Sequence, residues 1–396
     1  MPNQNQSRSI YNFDKIINRE STANVKYDLR NKIFATTDVI PMWVADMDFE
    51  TPNFITEAVI KRAQHPIFGY SFRTESYYNS IRNWLQVRHN WEIDTNWIVF
   101  SPGVVPALNF STLAYTNIGD SIIVQPPVYF PFFSAVTDNK RIQLNNKLIL
   151  DDNRYVIDFE GFEINAKQAS MFFLSSPHNP VGRVWTREEL TKLGEICVRN
   201  NVIIISDEIH SDIILPGYKH IPIATISKEI ADITITCIAP SKTFNIAGLA
   251  TSSVIISNKN LREKFEEIIN RYHLSGGNLF GAIASEAGYT FGADWVDALN
   301  IYIQNNFDEV DRLLLAANSK IKLIKAESTY LGWLDFNETG LKDKQIRDML
   351  IDKAKLGLSP GAIFGPGGKG FQRINLATPL SVVSLAIERL TATFNN

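Results

Sequence analysis

The chain has 396 residues, 45% of them hydrophobic and 20% charged, with a formal net charge of −3. This composition suits a globular protein long enough for two domains, and it lacks the basic blocks that a nucleic-acid partner demands. No apolar stretch reaches the ~18 residues of a membrane span, and the polar opening at residues 1–7 has no signal core, so the cytoplasm is the expected location.

The first 48 residues read as irregular chain. Within them Pro41-Met42-Trp43-Val44-Ala45-Asp46-Met47-Asp48 sets aromatic and acidic residues together near an expected pocket. From about residue 53, helices and strands alternate. Apolar runs at 98–100, 121–124, 171–174, 202–206, 233–238 and 252–256 predict strands, and 187–200 predicts a helix that Thr186 caps. Near-continuous apolar strands separated by helices predict an α/β fold with a mainly parallel sheet covered on both faces. Ligands then sit beyond the carboxyl ends of the strands. After about residue 280 a long helical stretch runs to about Ser319. A smaller α+β unit follows, with strands at 330–336 and 371–376, a helix through Lys355 and a glycine-rich turn at 365–370. The expected division is a large domain at 49–285 and a small domain made of 1–48 and 286–396. Cys197 and Cys237 lie in apolar surroundings and are expected as small buried hydrophobes, with no metal site or disulfide.

Several loops after these strands carry candidate chemistry. Ser101-Pro102-Gly103-Val104 opens a helix, where backbone N–H groups can bind phosphate, although most such turns are plain connections. Tyr129, in Gln125-Pro126-Pro127-Val128-Tyr129, suits stacking on a flat cofactor as well as core packing. Asn179, in Ser176-Pro177-His178-Asn179-Pro180, suits donation to a phenolate oxygen as well as an ordinary turn. Asp207 closes an apolar strand, where a carboxylate can keep a pyridine nitrogen protonated or simply cap a turn, and His210 follows it. In Ala239-Pro240-Ser241-Lys242-Thr243-Phe244, a small-residue turn after a strand carries one lysine. A desolvated lysine loses its proton readily and attacks carbonyls. Arg373 lies in an apolar stretch that suits a buried carboxylate fork better than a surface ion pair.

Taken in order, the Gly103 turn, Tyr129, Asn179-Pro180, Asp207, Ser241-Lys242 and Arg373 resemble the fold-type I enzymes that use pyridoxal 5'-phosphate (PLP), the aspartate-aminotransferase superfamily. Met42-Trp43-Val44-Ala45-Asp46-Met47-Asp48-Phe49, His65-Pro66-Ile67-Phe68-Gly69-Tyr70, Ser206-Asp207-Glu208-Ile209-His210-Ser211-Asp212 and Ser241 to Leu249 narrow the resemblance. They are similar to the MalY/PatB-type cystathionine β-lyases, or cysteine-S-conjugate C–S lyases. The resemblance implies an aspartate-aminotransferase-like fold with Lys242 as the lysine that forms the imine with the cofactor. It implies Asp207 at the pyridine nitrogen, Asn179 and His210 near the phenolic oxygen, and Tyr129 on the ring. Gly103, Val104 and Ser241 would bind the phosphate, with Tyr70 reaching the phosphate of a second subunit in a homodimer. Arg373, helped by the backbone at Ala45, would hold the substrate carboxylate. Many relatives carry an arginine several residues after the lysine; Ala250-Thr251-Ser252-Ser253 has none. The implied reaction is β-elimination on cystathionine or another S-substituted cysteine. An aminotransferase and a non-catalytic regulatory binding protein are the competing readings.

Overall fold

The computed structural model describes residues 11–395, so the polar opening at 1–7 lies outside the described residues. Its largest sheet has seven strands, in the order Ile98–Ser101, Ser252–Ile255, Thr234–Ile238, Ile203–Asp207, Ala169–Ser175, Ser121–Val124, Ile142–Asn145. Only Ser252–Ile255 runs against its neighbours. Residues on both faces of the inner strands, such as Phe172, Phe173, Ile204 and Ile205, are fully buried. Helices therefore cover both sides, as the unbroken apolar runs predict. The register pairs Ser175 with Asp207 and Asp207 with Cys237, so three parallel strands end side by side. Their carboxyl ends form the floor of the site.

Helix Arg187–Arg199 starts at Thr186 with a capping box closed by Glu189, and it buries Leu190, Leu193, Ile196 and Cys197. This is the cap expected from sequence, with a reciprocal bond added. Both cysteines are free and buried. The helical stretch after residue 280 is two helices, Leu279–Phe291 and Ala293–Ala316, divided at Gly292. A Cβ on Gly292 would come within 2.3 Å of the Phe244 ring, and one on Gly288 within 2.7 Å. The two glycines thus let Phe244, two residues beyond Lys242, sink into the helical layer.

The second sheet is antiparallel, in the order Lys322–Leu323, Leu331–Asp335, Phe371–Asn375, Ser359–Pro360. Helix Asp343–Asp352 is shorter than expected, ending before Lys355. The first 48 residues are less irregular than the sequence suggests. They contain short helices at Val25–Asp28 and Arg30–Phe34, and Ile40–Pro41 pairs in parallel with Leu356–Gly357. A buried ionic cluster fixes the segment after that strand. Lys26 Nζ lies 2.8 Å from Asp48, and Arg19 binds Asp46 at 2.7 Å and Asp48 at 2.8 Å. Each buried charge is paired, as burial requires. Among the described residues no helix is long and apolar enough to cross a membrane.

Candidate active site

A cavity of 190 Å³ lies at the ends of the parallel strands, and Gly103, Val104, Tyr129, Asn179, Asp207, His210, Ser241, Lys242 and Ala45 all line it. Residues up to 197 positions apart in sequence therefore meet in one place. Two predicted residues do not line the cavity. Arg373 stands behind Asn179 and binds its Oδ1 through Nη1 at 3.1 Å. Tyr70 is fully exposed, in the unstructured segment after helix Asn53–Ala63.

Lys242 belongs to a four-residue helix, Pro240–Thr243, that begins just past strand Thr234–Ile238. Proline at the first helical position fits the missing N–H there. Burial, aided by Arg373 and opposed by Asp46 and Asp207, brings the lysine pKa down to about 8. Nζ donates to the Ala45 carbonyl, which also accepts from the Tyr330 hydroxyl at 3.0 Å. That carbonyl is thus occupied, and any help Ala45 gives to a carboxylate must come from its N–H.

Asp207 is pushed up to about 7 by burial and by Glu208, against the opposing Ile209 N–H and Lys242. Its carboxylate has one hydrogen bond among the described residues, from Ile209 N at 3.1 Å. A buried carboxylate so thinly supplied calls for a cation or donor in the cavity. His210 is held to about 3 by burial and by the charges of Lys242 and Arg373, so it is neutral, and its buried Nδ1 has no partner. Arg373 is buried, spends Nη1 on Asn179 and Nη2 on the Trp43 carbonyl at 2.9 Å, and leaves Nε unpartnered. Its guanidinium lies over Phe364, 4.9 Å from the ring centroid. Because Asn179 Oδ1 accepts from Arg373, the amide is oriented with Nδ2 as its free donor.

These features fit PLP. Asp207 can pair with a pyridine nitrogen, and Asn179 Nδ2 and His210 can meet the phenolic oxygen. The Tyr129 ring lines the cavity where a flat ring would lie. The start of helix Val104–Tyr115 supplies backbone N–H groups for a phosphate. Gly103 lies in extended backbone (φ 171°), so it serves space rather than a turn; a Cβ would stand 3.3 Å from Pro106. No arginine lines the cavity, and Ala250 and Thr251 do, in line with the missing arginine noted in the sequence.

Sequence reasoning missed Tyr330, Thr251, Ala247 and Ile209 as lining or neighbouring residues. The Trp43 indole packs edge-on against Phe34 at 5.8 Å and donates to the Lys26 carbonyl. What Trp43 lends the site is its main-chain oxygen. Tyr330 carries a signal only in hindsight, as the residue before strand Leu331–Asp335.

The chain belongs to the aminotransferase class I and II family, whose model matches residues 37–390. Over 383 residues it is 45% identical to the cystathionine beta-lyase PatB of Bacillus subtilis, covering 96% of this chain and 99% of that one. Among solved structures it superposes on cystalysin from Treponema denticola, which contains a pyridoxal 5'-phosphate cofactor. The TM-score is 0.94 and the identity 38%, over 98% of this chain and 99% of that one. The PLP-bound C-S lyase from Staphylococcus hominis matches with a TM-score of 0.91 and 32% identity, over 98% of each chain. The fold is the α/β, fold-type I aminotransferase-like architecture expected from sequence.

Proposed function

We propose that this chain is a PLP-dependent carbon–sulfur lyase that acts on cystathionine or related S-substituted L-cysteines and releases a thiol, pyruvate and ammonia. The observation that carries the reading is the buried Lys242 amine, softened to a pKa of about 8, in one cavity with Asp207, Asn179 and His210. When bound, the cofactor supplies an aldehyde for amine capture and a protonated ring that accepts electrons from the substrate Cα. Asp207 would hold that ring nitrogen protonated. Arg373 has three N–H donors left for the substrate carboxylate and orients the Cα–H bond toward Lys242. The Lys242 amine takes the Cα proton as general base. A thiolate leaving from Cβ completes the elimination, and water then releases ammonia and pyruvate. The relatives named above as lyases support elimination over transamination. Purified protein loaded with PLP is expected to form pyruvate and ammonia from a cysteine thioether with no keto acid present. Turnover that requires a keto-acid acceptor, or no product across a panel of thioethers, would reject the lyase.

The same reading makes the active unit a cytoplasmic homodimer, with a large domain at 49–285 and a small domain of 1–48 and 286–396. Its support is the exposed segment that carries Ile67, Phe68, Tyr70 and Phe72, an apolar patch that a second copy would cover. Tyr70 then reaches the partner's phosphate. Sedimentation of the loaded protein is expected to give twice the chain mass of 44.7 kDa. A single-copy species with full activity would exclude shared sites.

A further inference from the structure

Behind the cavity lies a second buried set of polar groups that the chemistry above leaves unused. Along the loop after strand Ile203–Asp207 the side chains divide. Asp207 and His210 line the cavity, whereas Glu208 and Asp212 are buried away from it. The Asp212 carboxylate accepts three hydrogen bonds. Trp84 Nε1 at 2.9 Å and His89 Nε2 at 3.0 Å reach Oδ1, and the Thr243 hydroxyl reaches Oδ2 at 2.8 Å. Asn300 Nδ2 holds the Asp212 main-chain oxygen at 2.9 Å. Burial opposes the charge of Asp212, yet its bonds to His89 and Thr243 and the nearby Arg88 hold its carboxyl below the usual carboxylate range. Thr243 is 1% exposed, directly follows Lys242 and closes the helix Pro240–Thr243. A helix of one turn cannot hold itself. The Phe244 ring is seated on Gly288 and Gly292, Asn245 bonds the main chain of Met47 and Phe49 just beyond the turn, and within the turn the Thr243 hydroxyl ties it to Asp212.

We propose that Asp212 is a positioning residue which, through the Thr243 hydroxyl, fixes the turn that carries Lys242 and so sets the amine's place relative to Asp207 at the end of strand Ile203–Asp207. The proposal rests on Lys242 being the reacting amine. A small displacement of a reacting group is enough to lower the rate by about 10- to 100-fold.

Thr243→Val removes the hydroxyl and keeps the shape; Thr243→Ser keeps the hydroxyl and drops the methyl. Thr243→Val is expected to lower kcat by about 10- to 100-fold with little change in KM. It is also expected to slow PLP capture by the cofactor-free protein and displace the pH midpoint of that capture. Thr243→Ser is expected to keep the parent's kcat and capture profile. Thermal midpoints separate position from stability. If both variants lose activity in step with a lower Tm, or if Thr243→Val keeps the parent's kcat and capture profile, the positioning role is overturned. Asp212→Asn, which loses the charge facing His89, should fall between the parent and Thr243→Val if it folds. Lys242→Ala, run alongside, distinguishes the two readings. If it still forms a borohydride-reducible imine with PLP, the assignment of the reacting amine fails. If it forms none, and Thr243→Val behaves as the parent, only the role of Asp212 fails.

Discussion

Lys242→Ala is expected to lose both turnover and the visible absorbance of bound cofactor, with kcat down about 10⁴-fold, the upper end for one proton-transfer group, because the same amine also captures the cofactor. The surroundings of the residue explain why it can do both. Burial, with Arg373 adding to it, brings the pKa down to about 8, while Asp46 and Asp207 limit the fall. Below that pH the amine carries a proton and cannot add to an aldehyde. Cofactor capture by the cofactor-free protein is therefore expected to speed up as pH rises and to level off above about 8. An ordinary exposed lysine would keep gaining until near pH 10.4. Following the growth of the visible band against pH checks this directly. A capture rate that climbs without a plateau to pH 10 would show that the amine is not desolvated.

Arg373→Ala should lower kcat/KM by about 10²- to 10³-fold, the scale for removing one partner from a buried, hydrogen-bonded charge pair. The cofactor's absorbance should survive, which separates this loss from that of Lys242→Ala. The geometry makes the arginine specific. Phe364 lies under its guanidinium plane, Trp43 O and Asn179 Oδ1 take one donor each, and Nε has no partner. A lysine in its place offers a point charge with no fork, so Arg373→Lys should recover little. Removing the side chain also frees Asn179 Oδ1, and a modest spectral shift of the cofactor is expected from that. Steady-state kinetics on one thioether substrate measure the effect. A kcat/KM within a few fold of the parent would place the carboxylate elsewhere.

Much of this was legible because buried parallel strands write themselves as unbroken apolar runs. The six runs read from sequence all fall in the large sheet, and Gly103, Tyr129, Asn179, Asp207 and Lys242 lie at or just past the ends of those strands as the topology requires. The missed strands are either two-residue pieces too short to show a period, such as Leu356–Gly357 and Ser359–Pro360, or strands that water reaches. Ile142–Asn145 is half exposed, and the hairpin of Ile149–Asp151 with Arg154–Val156 mixes polar and apolar residues without a clean period. The break at Gly292 was hidden for another reason. A glycine within helical periodicity gives no sign that Phe244, almost fifty residues earlier, needs its space. Tyr330 and Phe364 were invisible as site residues on similar grounds, since each reaches the site only once two separate sheets are brought together.

The account depends on one bond between Lys242 and the cofactor aldehyde. Borohydride reduction of the loaded protein, followed by proteolysis and mass analysis of the peptides, makes that bond permanent and locates it. The expected result is a pyridoxyl phosphate adduct on Lys242 alone. An adduct on another lysine, or none at all, would contradict it.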